Sequence, residues 1–221
     1  MAIFANNLTS RLLLKSASEN LGSAGERVLE IGCGSGYISA ELISCGKCSG
    51  QESYLSDISD EAVEFAIEKL KNSVPLENFR VGRCLDPWDG EKFDLIISDV
   101  AGISNSIAEI SSWYQGVEFD AGEDGLSNTL EVARDAKRYL TSSGILIFPI
   151  LSLSDRSRLR AELNLVFPNW NESKETKWPL PADIAKRSEL LQRLNSEGLI
   201  FVEEKYGQVL ASTSIAVCFA Q

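Results

Sequence analysis

The chain has 221 residues, a formal net charge of −11 and a sequence pI of about 4.6. An acidic surface repels phosphate backbones, which argues against general nucleic-acid binding, and no apolar run approaches the ~20 residues of a membrane-spanning helix. Histidine is absent, which excludes Ser–His and Cys–His nucleophilic pairs, imidazole proton shuttles and histidine metal sites.

In chain order, residues 8–20 read as a leading helix capped near Thr9 or Ser10, within a leading segment 1–25. An apolar strand over 27–31 runs into Gly32, Gly34 and Gly36, and a helix follows from about 36 to 45. A second strand, 53–57, ends at Asp57. Ser59 then reads as the cap of a helix over 60–72, with Asp60 and Glu61 in its first turn and Val63, Ala66, Ile67 and Leu70 as its buried stripe.

A short third strand over about 78–82 leads into the loop Arg83-Cys84-Leu85-Asp86-Pro87-Trp88. The fourth strand, 93–99, is almost continuously apolar, as expected for a parallel strand covered on both faces. Residues 100–124 form a long irregular stretch, of a kind that is usually functional or mobile. A helix over 126–140, with Gly144 as its stop signal, precedes a strongly apolar strand over 145–151. A helix at about 154–166 carries Arg156, Arg158 and Arg160, read as a solvated face. A Trp- and Pro-containing segment spans 167–181 and a helix covers about 182–196. The end reads as two strands, 199–205 and 212–219, around a turn near Gly207. This alternation predicts a three-layer α/β fold with a mostly parallel central sheet, in a single domain over 1–221.

The five cysteines include one pair at metal or redox spacing, Cys45-Gly-Lys-Cys48, without a second pair to complete a zinc site. Reduced thiols and no bound metal are expected. The N-terminus lacks the basic segment and apolar run of a secretory signal, so a cytoplasmic location is expected.

Function is most legible at the first glycine turn. Strand, tight turn and helix N-terminus in succession press a ligand against backbone N–H groups. The dinucleotide fingerprint Gly-x-Gly-x-x-Gly needs a glycine at position 37, where Tyr37 stands. What stands here is Glu30-x-Gly32-x-Gly34-x-Gly36, which resembles the nucleotide-binding motif of class I S-adenosylmethionine-dependent methyltransferases. The resemblance implies a Rossmann-like fold with a seven-stranded sheet whose terminal strand is antiparallel, and S-adenosylmethionine as cofactor. It also implies that Glu30 faces the amino-acid end of that molecule. Asp57, about twenty residues on at the end of a strand, is placed to accept hydrogen bonds from a ribose. The implied cofactor-binding set is Glu30, Gly32, Cys33, Gly34, Gly36, Asp57, Ile58, Cys84, Leu85 and Ser98.

The order Lys92-Phe93-Asp94-Leu95-Ile96-Ile97-Ser98, then Gly122-Glu123-Asp124-Gly125-Leu126, then helix and strand, is similar to the glutamine methyltransferases acting on release factors. That resemblance covers roughly 25–150. Three features depart from it. Asp99-Val100-Ala101-Gly102 replaces Asn-Pro-Pro-Tyr after the fourth strand, and an ionised Asp99 accepts hydrogen bonds but donates none. Only about 25 residues precede the first strand, in place of a substrate-recruiting domain. Arg83 also stands where an acidic or polar adenine partner is common.

Asp99 lies where open α/β sheets bind ligands, and is read as positioning the acceptor or taking its proton. Segments 100–125 and 167–181 are candidate substrate lids, the first carrying Trp113, Tyr114 and Glu118, the second Trp170 and Trp178. Aromatics and carboxylates together suit a cationic or amine-bearing acceptor. The expected function is methyl transfer to a small-molecule or protein acceptor. The alternatives are a protein glutamine or lysine methyltransferase, a non-catalytic S-adenosylmethionine-binding module, and a NAD-dependent oxidoreductase.

Overall fold

The computed structural model describes residues 7–115 and 119–221. Nine strands form one sheet, with a helical layer on each face. The strands are β1 (Val28–Ile31), β2 (Ser53–Asp57), β3 (Phe79–Val81), β4 (Phe93–Ser98), β5 (Leu140–Leu151), β6 (Trp170–Glu172), β7 (Thr176–Pro179), β8 (Glu203–Lys205) and β9 (Gln208–Phe219). The path β3-β2-β1-β4-β5-β9-β6 is parallel up to β5 and antiparallel from β9. This is the expected mostly parallel sheet with a late antiparallel strand. Seven strands lie on the path, and β7 and β8 add two more along the outer edge of β9.

The helices are α1 (Leu8–Asn20), α2 (Tyr37–Ser44), α3 (Asp60–Leu70), α4 (Asn105–Ala108), α5 (Ser127–Asp135), α6 (Arg156–Val166), α7 (Ala182–Ala185) and α8 (Ser188–Ser196). Strand periodicity divides the core. Val28, Leu95, Ile97 and Ile147 point toward α1 and α2, where Leu13, Ala17, Ile38 and Leu42 meet them. Their neighbours Leu29, Ile96, Leu146 and Phe148 point the other way, against Leu130 and Ala133 of α5 and Leu159 and Leu163 of α6. Each such fully buried side chain contributes roughly 1.5–3 kcal/mol. Trp88 anchors the second face: it is fully buried, edge-on to Tyr54 and Phe93, with its indole N–H donated to Ser56 Oγ at 3.0 Å. A third cluster joins α4, α7 and α8 to Trp113, to Trp178 of β7 and to Ala211 of β9. Among the described residues, no helix is long and apolar enough to cross a membrane.

Several boundaries differ from expectation. The cap of α1 is Asn7, whose Oδ1 accepts the Ser10 N–H at 3.1 Å, rather than Thr9 or Ser10. The helix expected to reach 140 ends at Asp135 and closes as a 3-10 turn, and β5 runs from Leu140 through Gly144, with Leu140 opposite Phe93 and Ile145 opposite Leu95. The single helix expected over 182–196 is two, α7 and α8. Of the three arginines of α6, Arg158 is exposed as expected, whereas Arg156 and Arg160 are partly buried, and all three are paired. Arg156 pairs with Glu175, Arg160 with Glu172 and Glu175, and Arg158 with Asp124.

Candidate functional site

Local steric constraints build the first wall of the site. Gly32 follows β1 with φ +70°, and a Cβ there would meet the Asp99 carbonyl oxygen at 2.8 Å, so the β1 and β4 ends approach closely only because the side chain is missing. Gly34, at φ +49°, is different: a Cβ there meets nothing within 4 Å, because it would project into an open cavity. The cavity, about 900 Å³ in volume, lies at the C-terminal ends of β1, β2 and β4.

Glu30 is buried beneath the turn. The residue capping α2 is Gly36, which has no side chain to offer, and Glu30 supplies the missing acceptor: its Oε2 takes the Ser39 N–H at 2.9 Å and the Ser39 hydroxyl as well. Burial pushes the Glu30 carboxyl up to about 7, against the Ser39 hydrogen bonds and with a further push from the Asp99 charge. Asp57 locks β2 to the same turn. Its Oδ2 accepts the Gly34 N–H at 2.9 Å and its Oδ1 the Ser59 N–H at 3.0 Å.

Ile58, partly exposed, and Cys84, with φ +46°, continue this wall. Burial, reinforced by the Glu131 charge, pushes the Cys84 thiol up to about 12. Arg83 grips the Glu131 carboxylate with two nitrogens, Nη2 at 2.7 Å and Nε at 3.2 Å. Of the residues expected to bind cofactor, Glu30, Gly32, Cys33, Gly34, Asp57, Ile58 and Cys84 line the cavity. Gly36, Leu85 and Ser98 do not: Gly36 faces Leu70 and Ala66 of α3, and Leu85 and Ser98 are buried.

The other end of the cavity is formed by Asp99, Val100–Ile103, Trp113, Tyr114, Phe119 and Trp178. Asp99 is half-buried, and its Oδ2 accepts the Ser10 hydroxyl at 3.1 Å. Burial raises its carboxyl to about 6, with the Ser10 hydrogen bond opposing. Trp113 and Trp178 pack at 5.7 Å between ring centroids, and Tyr114 and Phe119 at 5.3 Å. Burial, then the Asp99 charge, raises the Tyr114 hydroxyl above its ordinary value.

In segment 167–181, expected as a candidate substrate lid, β6 and β7 pair with β9; Trp178 lines the cavity, while the Trp170 indole donates to Asn164 Oδ1. Glu118 lies outside the described residues. Polar cavity residues that the sequence reading does not place in the site include Asn7, Ser10 and Asn128. Asn7 and Ser10 arrive from α1, far away in the chain, and Asn128 projects from the first turn of α5. No local pattern marks the first two; Asn128, two residues past Leu126, was accessible as a polar residue opening an apolar helix.

A family model described as a methyltransferase domain matches residues 22–203. The release factor glutamine methyltransferase of Agrobacterium fabrum is 32% identical over 139 residues, covering 59% of this chain and 46% of that protein. The ribosomal protein L11 methyltransferase of Acetivibrio thermocellus is 32% identical over 115 residues, covering 52% of this chain and 34% of that one. The chain thus spans less than half the length of these relatives. Among solved structures, the YcgJ protein of Bacillus subtilis superposes with a TM-score of 0.58 at 15% identity, over 93% of this chain and 97% of that one. A ribosomal protein L11 methylase from Lactobacillus delbrueckii subsp. bulgaricus gives 0.53 at 17% identity, over 94% and 79%. These two share the fold. With the family match over most of its length, the chain belongs to the methyltransferase domain family, as a class I, S-adenosylmethionine-dependent member.

Proposed function

We propose that the cavity binds S-adenosylmethionine against the glycine turn and an acceptor against Asp99 and the aromatic wall. The observation carrying this reading is that a single cavity of about 900 Å³ contains both ends. The residues present fit the cofactor. Gly34 leaves a cradle that a Cβ would fill, and the Asp57 carboxylate is fixed by two backbone N–H groups with lone pairs left for ribose hydroxyls. Ile58 and Cys84 would flank the base, and Glu30 would lie toward the amino-acid end. Bound S-adenosylmethionine supplies an activated methyl group on a sulfonium.

The chain's own part is alignment, exclusion of water and management of a proton. Asp99, oriented by Ser10, would hold the acceptor and accept its proton at Oδ1. A carboxyl titrating near 6 is ionised at neutral pH yet basic enough to take a proton in transit. Trp113, Tyr114, Phe119 and Trp178 would seat the acceptor's body and exclude water. A small-molecule acceptor agrees with Asp99-Val100-Ala101-Gly102 at the end of β4, where an amide-recognising Asn-Pro-Pro-Tyr is missing. The names of the relatives, release factor and ribosomal protein methyltransferases, favour a protein acceptor as the second reading.

Incubation with methyl-labelled S-adenosylmethionine and a lysate separated into macromolecules and metabolites decides between them. Label in the metabolite fraction is expected. Label precipitating with protein would favour the second reading, and no transfer in either fraction would count against catalysis.

A further inference from the structure

Toward the Asp99 end of the cavity, three side-chain donors are already used within the protein, while one carboxylate oxygen stays open. The Ser10 hydroxyl donates to Asp99 Oδ2 at 3.1 Å. The Asn128 amide donates to the carbonyls of Ala101 at 3.2 Å and Asp120 at 3.0 Å, which uses both its hydrogens. The Trp178 indole N–H goes to Thr213 Oγ1 at 3.0 Å. Asp99 Oδ1, by contrast, receives no hydrogen bond from a described residue.

Charge points the same way. Glu30, Asp57, Asp60, Glu61, Asp99 and Asp120 line the cavity, against Arg83 as the lining cation among the described residues, and Arg83 is already held by Glu131. The ring pairs Trp113–Trp178 and Tyr114–Phe119 add π-faces, which attract a cation in a desolvated site.

Resting on the methyl-transfer reading, we propose that the acceptor is an amine with a flat apolar body, bound as its ammonium form through N–H donors to Asp99 and seated on the aromatic wall. The ammonium proton passes to Asp99 Oδ1. The freed nitrogen lone pair then forms the bond to the methyl carbon while the carbon–sulfur bond pair stays on sulfur, so charge and atoms balance. A neutral amide would bring a carbonyl to a wall whose Ser10, Asn128 and Trp178 donors are occupied. A carboxylate would meet Asp99 and Asp120 with like charge.

The test is isothermal titration of matched probes, tryptamine against tryptophol and 2-phenylethylamine against 2-phenylethanol, on the full chain near pH 8 with and without saturating S-adenosylhomocysteine. Each amine is expected to bind at least about tenfold tighter than its alcohol, and Asp99→Asn is expected to erase most of that preference. Equal binding of amine and alcohol by the wild-type chain, or no binding of either amine, overturns the proposal whether or not the variant folds. The S-adenosylhomocysteine arm reports separately on the methyl-transfer reading: its failure with the amine preference intact would sink that reading and leave the ammonium subsite standing.

Discussion

Ser10 and Asp99, 89 residues apart in the chain, are joined by a 3.1 Å hydrogen bond from the Ser10 hydroxyl to Asp99 Oδ2. The bond ties the start of α1 to the end of β4 and fixes the orientation of a carboxylate that lines the cavity. It stabilises the charged form of Asp99, and so opposes the upward push of burial. Ser10→Ala is therefore expected to move the acidic limb of the rate–pH profile upward by roughly half a pH unit or more. The Asp99 charge in turn raises the Glu30 carboxyl and the Tyr114 hydroxyl, and both groups are unchanged in the variant. A limb that stays in place or moves down would remove Ser10 from any role in setting the proton affinity of Asp99.

The same carboxyl makes a stability prediction. Asp99 titrates near 6 in the folded chain against an ordinary carboxyl range near 4 when unfolded, so the folded state holds the proton through the interval between. Stability contributed by the protonated form is present below about pH 4 and lost as pH rises through about 6. Glu30, raised to about 7, has the same sign. Asp99→Asn is expected to stabilise the chain near pH 8 by about 1–2 kcal/mol, with the gain disappearing near pH 4. Urea melts at the two pH values check this; a variant less stable at pH 8 would show that the ionised carboxylate is better compensated than burial implies.

The glycine turn separates folding from binding. Gly32→Ala sets a Cβ at 2.8 Å from the Asp99 carbonyl oxygen, a backbone contact that has no flexible side chain to yield. A loss of about 2–4 kcal/mol of stability is expected. Gly34→Ala meets no atom within 4 Å and carries only the left-handed backbone cost of about 1–2 kcal/mol, but it fills the cradle. It is expected to remain folded and to bind S-adenosylhomocysteine at least about tenfold more weakly. Equal affinity in Gly34→Ala and wild type would move the binding site away from this turn.

Cysteine accessibility gives an independent check of the packing. Cys45 is exposed, while Cys33, Cys48, Cys84 and Cys218 are buried. Cys33 and Cys84 line the cavity, yet burial raises both thiols and keeps them protonated. Mass spectrometry after brief iodoacetamide treatment of the native chain is expected to find label on Cys45 first. Early label on Cys84 would mean a looser loop after β3 than the one described.

The parts legible in the sequence are those encoded by short-range spacing. The glycine turn after β1 and Asp57 at the end of β2 are each fixed by a few neighbouring residues, and the structure brings them together through the Gly34–Asp57 hydrogen bond. Asp99 followed from the apolar run of β4. Contacts between distant segments left no such trace. Ser10 and Asn7 reach the cavity because α1 packs across the sheet, and nothing in their own surroundings encodes that. Glu30 looked like a ligand-facing acid, but its hydrogen bonds to Ser39 also anchor α2, a role visible only once the turn is built. The strand β7 that carries Trp178 is not legible in the sequence because proline and tryptophan obscure an edge strand, with Pro179 pairing at the margin of β9. Leu85 and Ser98 are next to cavity residues in sequence and are buried: Ser98 turns inward by the alternation of strand side chains, and Leu85 packs in the core as the chain enters a 3-10 turn.

The most direct test is isothermal titration of S-adenosylhomocysteine into the wild-type chain and Asp57→Ala, with NADH as a comparison ligand. Saturable one-to-one binding, weakened at least about tenfold by Asp57→Ala and not matched by NADH, is the expected result. Absence of saturable binding, equal affinity in the variant, or preferential binding of NADH would contradict the assignment of this cavity to S-adenosylmethionine.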